Sequence, residues 1–215
     1  MAIARDAAVD GGLGIGVTSL TWAHTCAGSD RVLFVTAFGD VNNDVITGAT
    51  YAGVTMTLVD KLVAGTDRYV YQFVLFGPAP GSNNAVVSAS SPIAIAAHSV
   101  SYTGAQQSGP DSHNTGTETS NTTLTVATNV VASNCWLFGS FRDEVGTGVP
   151  GAGTTELVDA ANGLYSCDSN GTVATGSQSL QYTNVAIIAA IVTSFAPVIA
   201  PVVGAKILIR NRAYV

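Results

Sequence analysis

Helical periodicity is missing from this chain, and that absence constrains its fold more than any other feature. Apolar residues rarely recur at three- and four-residue spacing, and Gly, Thr or Asn interrupts nearly every long window. Short β-branched and aromatic runs bounded by Gly, Asn, Asp and Pro take its place. Strands are expected near Val17–His24, Arg31–Phe38, Val45–Tyr51, Thr55–Lys61, Arg68–Phe76, Ala85–Ala89 and Ile93–Tyr102. Others are expected near Thr122–Thr128, Cys135–Arg142, Thr154–Asp159, Leu164–Cys167, Ser177–Tyr182 and Val185–Phe195. In Arg68–Phe76 the odd positions Tyr69, Tyr71, Phe73 and Leu75 share one face, the period-two pattern of a strand with a buried side. Asn162-Gly163 and Asn170-Gly171 suit tight hairpin turns, and Pro78-Ala-Pro80-Gly81 ends a strand because proline donates no ladder hydrogen bond.

Many short strands at near-regular spacing predict an all-β fold. The expected architecture is an antiparallel two-sheet sandwich, jelly-roll or Greek-key in type, with a C-terminal extended arm. The expected boundaries are a lead-in over 1–16, a sandwich domain over 17–197 and an arm over 198–215. Gln106–Ser120, polar and rich in Gly, Ser and Thr, reads as a long exposed loop. No internal repeat stands out.

Composition narrows the function classes. Hydrophobic residues make up 47% of 215, enough for a large core, whereas charged residues are 10% against roughly 25% in an average domain. The polar surface therefore comes from Thr, Ser, Asn, Gln and Gly. Net charge is −6 and the basic residues are scattered apart from Arg210 and Arg212, so no groove for nucleic acid is expected. Residues 185–204 are uncharged and long enough to span a bilayer, but Pro197 and Pro201 would break helical hydrogen bonding. A buried strand leading into a proline-stiffened arm is expected there, with no membrane partner. Met1-Ala-Ile-Ala-Arg-Asp6 lacks the charged and apolar regions of a signal peptide. Synthesis in a cytoplasm is expected, which favours a virion protein over a secreted one.

The motifs that point to chemistry are thin. Asp40, Asn42 and Asp44 open like a calcium loop, but its sixth and twelfth positions hold Val45 and Tyr51 instead of Gly and an acid. His24, His98 and His113 have no metal-ligand spacing, and His98 alternates within an apolar strand. Gly11–Gly16 lacks dinucleotide spacing and a βαβ context. Asp111 and the pair Asp143-Glu144 could serve as hydrolytic carboxylates only if geometry joined them. Asn121-Thr-Thr123 and Asn170-Gly-Thr172 match the glycosylation sequon. Cys26, Cys135 and Cys167 form no complete disulfide framework; three free or buried thiols are expected, with a Cys26–Cys167 bridge open in an oxidising setting. No catalytic residue, cofactor or metal is expected, and no enzyme.

The middle of the chain resembles a loose family of β-sandwich proteins found in tailed-phage virions and as modules of bacterial surface proteins. The segments that carry the resemblance are Arg31–Val35, Tyr51–Val59, Arg68–Tyr71, Phe76–Pro78, Val86–Ser88, Ser99–Gly104 and Trp136–Phe138. The resemblance covers about Val17 to Pro197 and implies structural or adhesive roles without catalysis. A virion structural protein, decorating or cementing a capsid, is the leading expectation. The alternative is a carbohydrate-binding or adhesive module, with Trp22 and Tyr102 as the aromatics to test for stacking on a glycan. Homo-oligomers or contacts with other virion proteins are expected through the apolar arm Pro197–Val215, with Ala205–Arg210 as a short strand and Arg210 and Arg212 at a polar rim.

Overall fold

The computed structural model describes residues 1–40, 43–64, 68–119, 122–144, 146, 148–160, 163–185 and 188–199. Every regular element among them is a strand. The first half contains β1 (Ala4–Cys26), β2 (Val32–Gly39), β3 (Ile46–Tyr51), β4 (Val54–Thr55), β5 (Thr57–Ala64), β6 (Arg68–Phe76) and β7 (Gly81–Thr103). The second contains β8 (Ser112–Glu118), β9 (Thr122–Val130), β10 (Trp136–Asp143), β11 (Val149–Pro150), β12 (Thr155–Ala160), β13 (Leu164–Asp168), β14 (Gly176–Val185) and β15 (Ile188–Phe195). All pairings are antiparallel. The all-β sandwich read from the sequence is present, and it is built twice.

In the first unit β1 and β7 are paired ribbons of 23 residues each, with register shifts between Asp10 and Leu13 and between Gly14 and Ser19. Bulges of this kind bend a ribbon, so both strands run through two layers. The inner layer has the order β5-β6-β2-β7-β1, and the outer layer β4-β3-β7-β1. Between them lie Trp22, Leu33, Val35, Tyr51, Tyr71, Phe73, Val87 and their neighbours. In the second unit β8 and β9 replace the two halves of β1, and β14 and β15 replace the two halves of β7. The inner order is then β12-β13-β10-β15-β8 and the outer order β11-β14-β9. This is the same arrangement strand for strand, less the two-residue β4, and it encloses Leu124, Val126, Leu137, Phe141, Tyr165, Leu180 and Tyr182.

Register confirms the match. Ser19–Asp40 corresponds to Thr123–Glu144 at a constant offset, with Leu20, Thr21, Ala23, Ser29, Leu33 and Phe34 repeated as Leu124, Thr125, Ala127, Ser133, Leu137 and Phe138. Asp30 and Asn134, both at positive φ (50° and 60°), occupy the same turn. Gly81 and Gly176 open equivalent strands at φ 86° and 96°, a conformation that glycine adopts without a Cβ penalty. β5 and β12 even carry the same bulge, at Val59 and Leu157.

The two units pack inner sheet to inner sheet, and equivalent residues meet. Phe34 stacks on Phe138 with ring centroids 4.4 Å apart, and Tyr102 lies 4.9 Å from Phe195. Thr36 Oγ1 is 2.6 Å from Ser140 Oγ, and the Arg142 guanidinium sits 4.3 Å over the Phe38 ring. Self-paired contacts mark a two-fold axis, which therefore runs along β2 and β10. Contacts off the axis come in exchanged pairs: β1 touches β12 as β8 touches β5, and β7 touches β13 as β6 touches β15. Burying each of these aromatic side chains contributes about 2–3 kcal/mol.

Three sequence expectations change. Residues 4–16 are not a lead-in but the first half of β1, whose glycines sit at its bulges. The loop expected over 106–120 contains β8, an edge strand whose Ser-His-Asn-Thr-Gly-Thr-Glu run shows no apolar alternation. The internal repeat that did not stand out in the sequence organises the whole molecule. The expected arm is described only at Pro197–Ile199; its strand at Ala205–Arg210, with Arg212, lies outside the described residues.

Candidate functional site

Most polar groups of the interior fall into three places. Along the axis, between the inner sheets, lie Thr36, Gln72, His98, Ser140, Ser166 and Thr193, all fully buried. Gln72 Nε2 donates to Ser140 Oγ (3.0 Å), and the equivalent Ser166 Oγ donates to Thr36 Oγ1 (3.1 Å). Gln72 Nε2 also reaches the Ile191 carbonyl (3.2 Å), matched by His98 Nδ1 against Ser166 Oγ (3.3 Å). Thr193 bonds Gln72 Oε1. Buried polar groups are costly unless paired, and pairing across the seam fixes one register of one unit on the other.

The second place lies in the first unit, under β1. Trp22 Nε1 donates to Ser99 Oγ (2.8 Å), which contacts His24 Nδ1 (2.8 Å). His24 Nε2 lies 3.0 Å from Ser101 Oγ, which donates to Asp6 Oδ2 (2.8 Å). A second hydroxyl, Ser101, stands between the imidazole and the carboxylate, and Ser99 and Ser101 are fully buried, so the chain of bonds ties β1 to β7. Burial lowers His24 to about 4, outweighing the opposite pull of Asp6, and keeps the ring neutral.

The third place is a pocket of about 530 Å³ where the axis leaves the molecule beyond β2 and β10. Arg68 pairs there with Asp40 (3.0 Å) and Glu144 (2.7 Å), residues equivalent in the two units. Arg142 is buried with its Nε unpartnered and its Nη1 on the Asp143 carbonyl. Its pKa is lowered by burial and then by Arg68. Three carboxylates, Asp40, Asp143 and Glu144, lie around the two guanidiniums, and the Arg68–Glu144 pair bridges the units.

At the opposite pole lies a groove of about 730 Å³ with a mainly apolar lining, bounded by Met1–Ile3, Val131–Asn134 and Ala196–Ile199. Met1, Val131 and Ile199 on its rim are 64%, 67% and 79% exposed. Only the run Val130-Val131-Ala132 hinted at this feature in the sequence, because a groove made from three distant segments leaves no local pattern.

The residues named from the sequence are dispersed. Asp40 is paired with Arg68, Asp44 bonds Lys61 and Tyr71 Oη (2.8 Å), and Asn42 lies outside the described residues. Among the described residues no group of three His, Cys, Asp or Glu side chains is placed to hold a metal ion. Asp111 caps Val131 and Ala132 at one pole (2.8 and 3.0 Å), while Asp143 and Glu144 sit at the other, about 20 Å away along β10. They form no hydrolytic pair. His98 is buried, with its Nε2 3.8 Å from Asp10, and His113 reaches Asp60 at 3.4 Å across the seam. Trp22 and Tyr102, the aromatics named for a glycan-stacking test and read as core residues, are 8% and 0% exposed and belong to the cores.

All three thiols are free and buried, Cys26 in the first core and Cys135 and Cys167 in the second, so the Cys26–Cys167 bridge is not formed. Burial pushes Cys135 up to about 12 and Cys167 well above its usual range. Asn170 is exposed in a turn and accepts from Arg5, whereas Asn121 lies outside the described residues. Gly11–Gly16 is strand. No described helix is long and apolar enough to cross a membrane, and Ile188–Phe195 is β15, buried along its length.

No protein-family model, curated protein or solved structure matches this chain.

Proposed function

We propose that the chain is a non-enzymatic structural protein of a virion, a capsid-decorating or other particle-surface component that attaches through its C-terminal segment. The observation that carries this reading is the pole where the described chain ends. Ile199, Val131 and Met1 expose apolar surface around a groove, and a further 16 residues follow that include Val202, Val203, Ile207, Leu208 and Ile209. Apolar surface of this kind, rimmed by polar residues, marks a protein contact.

Two features support the particle-surface part of the reading. The outer sheets face opposite sides of the stack and carry the same uncharged, hydroxyl-rich display. Ser19, Thr21, Ala23 and Thr25 on β1 correspond to Thr123, Thr125, Ala127 and Asn129 on β9. The segments on which the resemblance to virion sandwich proteins rests, among them Arg31–Val35, Arg68–Tyr71 and Trp136–Phe138, fall on strands and turns, chiefly of the inner sheets. Mass spectrometry of purified particles tests the reading: stoichiometric presence of the chain is expected, and its absence from particles would refute it.

A further inference from the structure

The two-fold relation between the units makes each pole of one unit a template for the other. At the first unit's pole the connection to the second unit, Gly104–Gln107, lies along the turn before β2. Gly104 N donates to Ser29 O (3.2 Å), Ala105 N to Asp30 O (2.9 Å) and Gln107 Nε2 to Arg31 O (3.1 Å). The equivalent turn in the second unit is Ser133-Asn134-Cys135, and it borders the apolar groove. By register the described residues that should cover it are Pro197–Ile199. They do not follow the template. Pro197 stands where Gly104 supplies an N–H and has none to give. Val198 N donates instead to Gly104 O (2.8 Å), toward the inter-unit connection. Ile199 is left 79% exposed on the groove's rim.

From this vacancy in an otherwise repeated pattern we infer that the groove over Val131–Asn134 receives residues 200–215 of a second copy of this chain. The inference rests on the reading of the C-terminal segment as an assembly element. Charge agrees with the occupant. Residues 1–199 hold 14 acidic and five basic side chains, whereas 200–215 hold Lys206, Arg210 and Arg212 and no acid. The groove offers apolar walls from Ile3, Val131 and Ala196, and Asp111 lies beneath the turn at Val131 and Ala132. An extended apolar segment with cationic residues near its end fits both, as added strands fit exposed edges. A tail of one copy in the groove of the next is a head-to-tail contact, which closes into a ring or propagates.

Complementation between two full-fold variants tests this. Val131→Lys blocks the groove and keeps the tail; deletion of 200–215 removes the tail and keeps the groove. Sedimentation velocity should show self-association of the unmodified chain, weakened about tenfold or more in each variant alone. An equimolar mixture of the two should form a one-to-one complex. If the truncated chain does not fold, the triple change Ile207→Ser, Leu208→Ser, Ile209→Ser takes its place. Should Val131→Lys associate as well as the unmodified chain while loss of the tail abolishes association, the groove is refuted and the tail's assembly role stands. A chain that is monomeric throughout refutes the second-copy occupant, including the case where the tail folds back on its own groove. It leaves the virion reading to the particle measurement.

Discussion

The two units enclose cores of the same shape with different residues, and the difference shows what the fold demands. Val35 and Ala37 on β2 correspond to Gly139 and Phe141 on β10, so a methyl-rich pair has become a glycine whose side-chain space a large ring fills. A Cβ on Gly139 would come within 2.6 Å of the Phe141 ring and 2.9 Å of Cys167 Sγ. Trp22, Ala85, Val87 and Phe73 in the first unit correspond to Val126, Leu180, Tyr182 and Cys167 in the second. Large and small have exchanged places across facing layers, as close packing requires when total volume is held. Tyr71 and Tyr165, like Leu33 and Leu137, keep the same large side chain in both cores. At the seam the divergence is polar. Arg5 pairs with Asp168 (2.8 Å), which accepts from Tyr102 Oη (3.0 Å), whereas the counterparts Val74 and Phe195 on the other side are apolar. The units are thereby complementary to each other more than to themselves.

Titration breaks the comparison most strongly, because both buried histidines belong to the first unit. His24 corresponds to Thr128 and His98 to Ile191. Burial lowers each to about 4, so the unfolded chain binds these protons from about pH 6.5 while the folded chain resists them. Folded-state stability is present above pH 6.5 and is lost as pH falls from there toward 4, by about 3 kcal/mol for each residue. Denaturant midpoints measured across that window should fall accordingly. His24→Thr, the second unit's residue, should remove about half of the slope; an unchanged slope would sever it from His24.

Core exchange comes next in size. Phe141→Ala should cost about 3–5 kcal/mol by opening a cavity, and Gly139→Val about 1–3 kcal/mol by overpacking. The double change recreates the first unit's pair and should cost clearly less than the sum, a non-additivity expected between touching residues. Chemical denaturation of the three variants measures it.

The smallest effect concerns the seam. Thr36→Val removes the Oγ1 that Ser140 and Ser166 share and should cost about 1–3 kcal/mol. Adding Ser140→Ala should cost more, because Gln72 Nε2 then loses its Ser140 acceptor. Thermal melts of the single and double variants decide.

The strands were legible because β9 alternates over one buried face while β2, β6 and β10, buried on both faces, read as β-branched and aromatic runs between turn residues. All four stand within two residues of their expected bounds. What was not legible has physical causes. Residues 4–16 pair on an edge with half-exposed side chains, so glycine and alanine suffice and no pattern forms. β8 is likewise an edge strand. The repeat was hidden because six identities in 22 positions are scattered among core exchanges such as Trp22 for Val126. Asp30 and Asn134, or Gly81-Ser82 and Gly176-Ser177, signal it only once register is known. The seam and the groove join residues a hundred positions apart, which local sequence does not encode.

The central claim is that two copies of one sandwich meet on an axis along β2 and β10, with equivalent residues face to face. The pair Thr36→Cys and Ser140→Cys tests this directly, since the two side-chain oxygens lie 2.6 Å apart in a buried seam and a disulfide forms only between closely placed Cβ atoms. Peptide mapping by mass spectrometry after mild oxidation of the folded double variant is the measurement. The predicted result is a near-complete cross-link between positions 36 and 140 with the three native thiols unreacted. A folded variant that forms no such link, or links either position to a native cysteine instead, would contradict the two-fold arrangement.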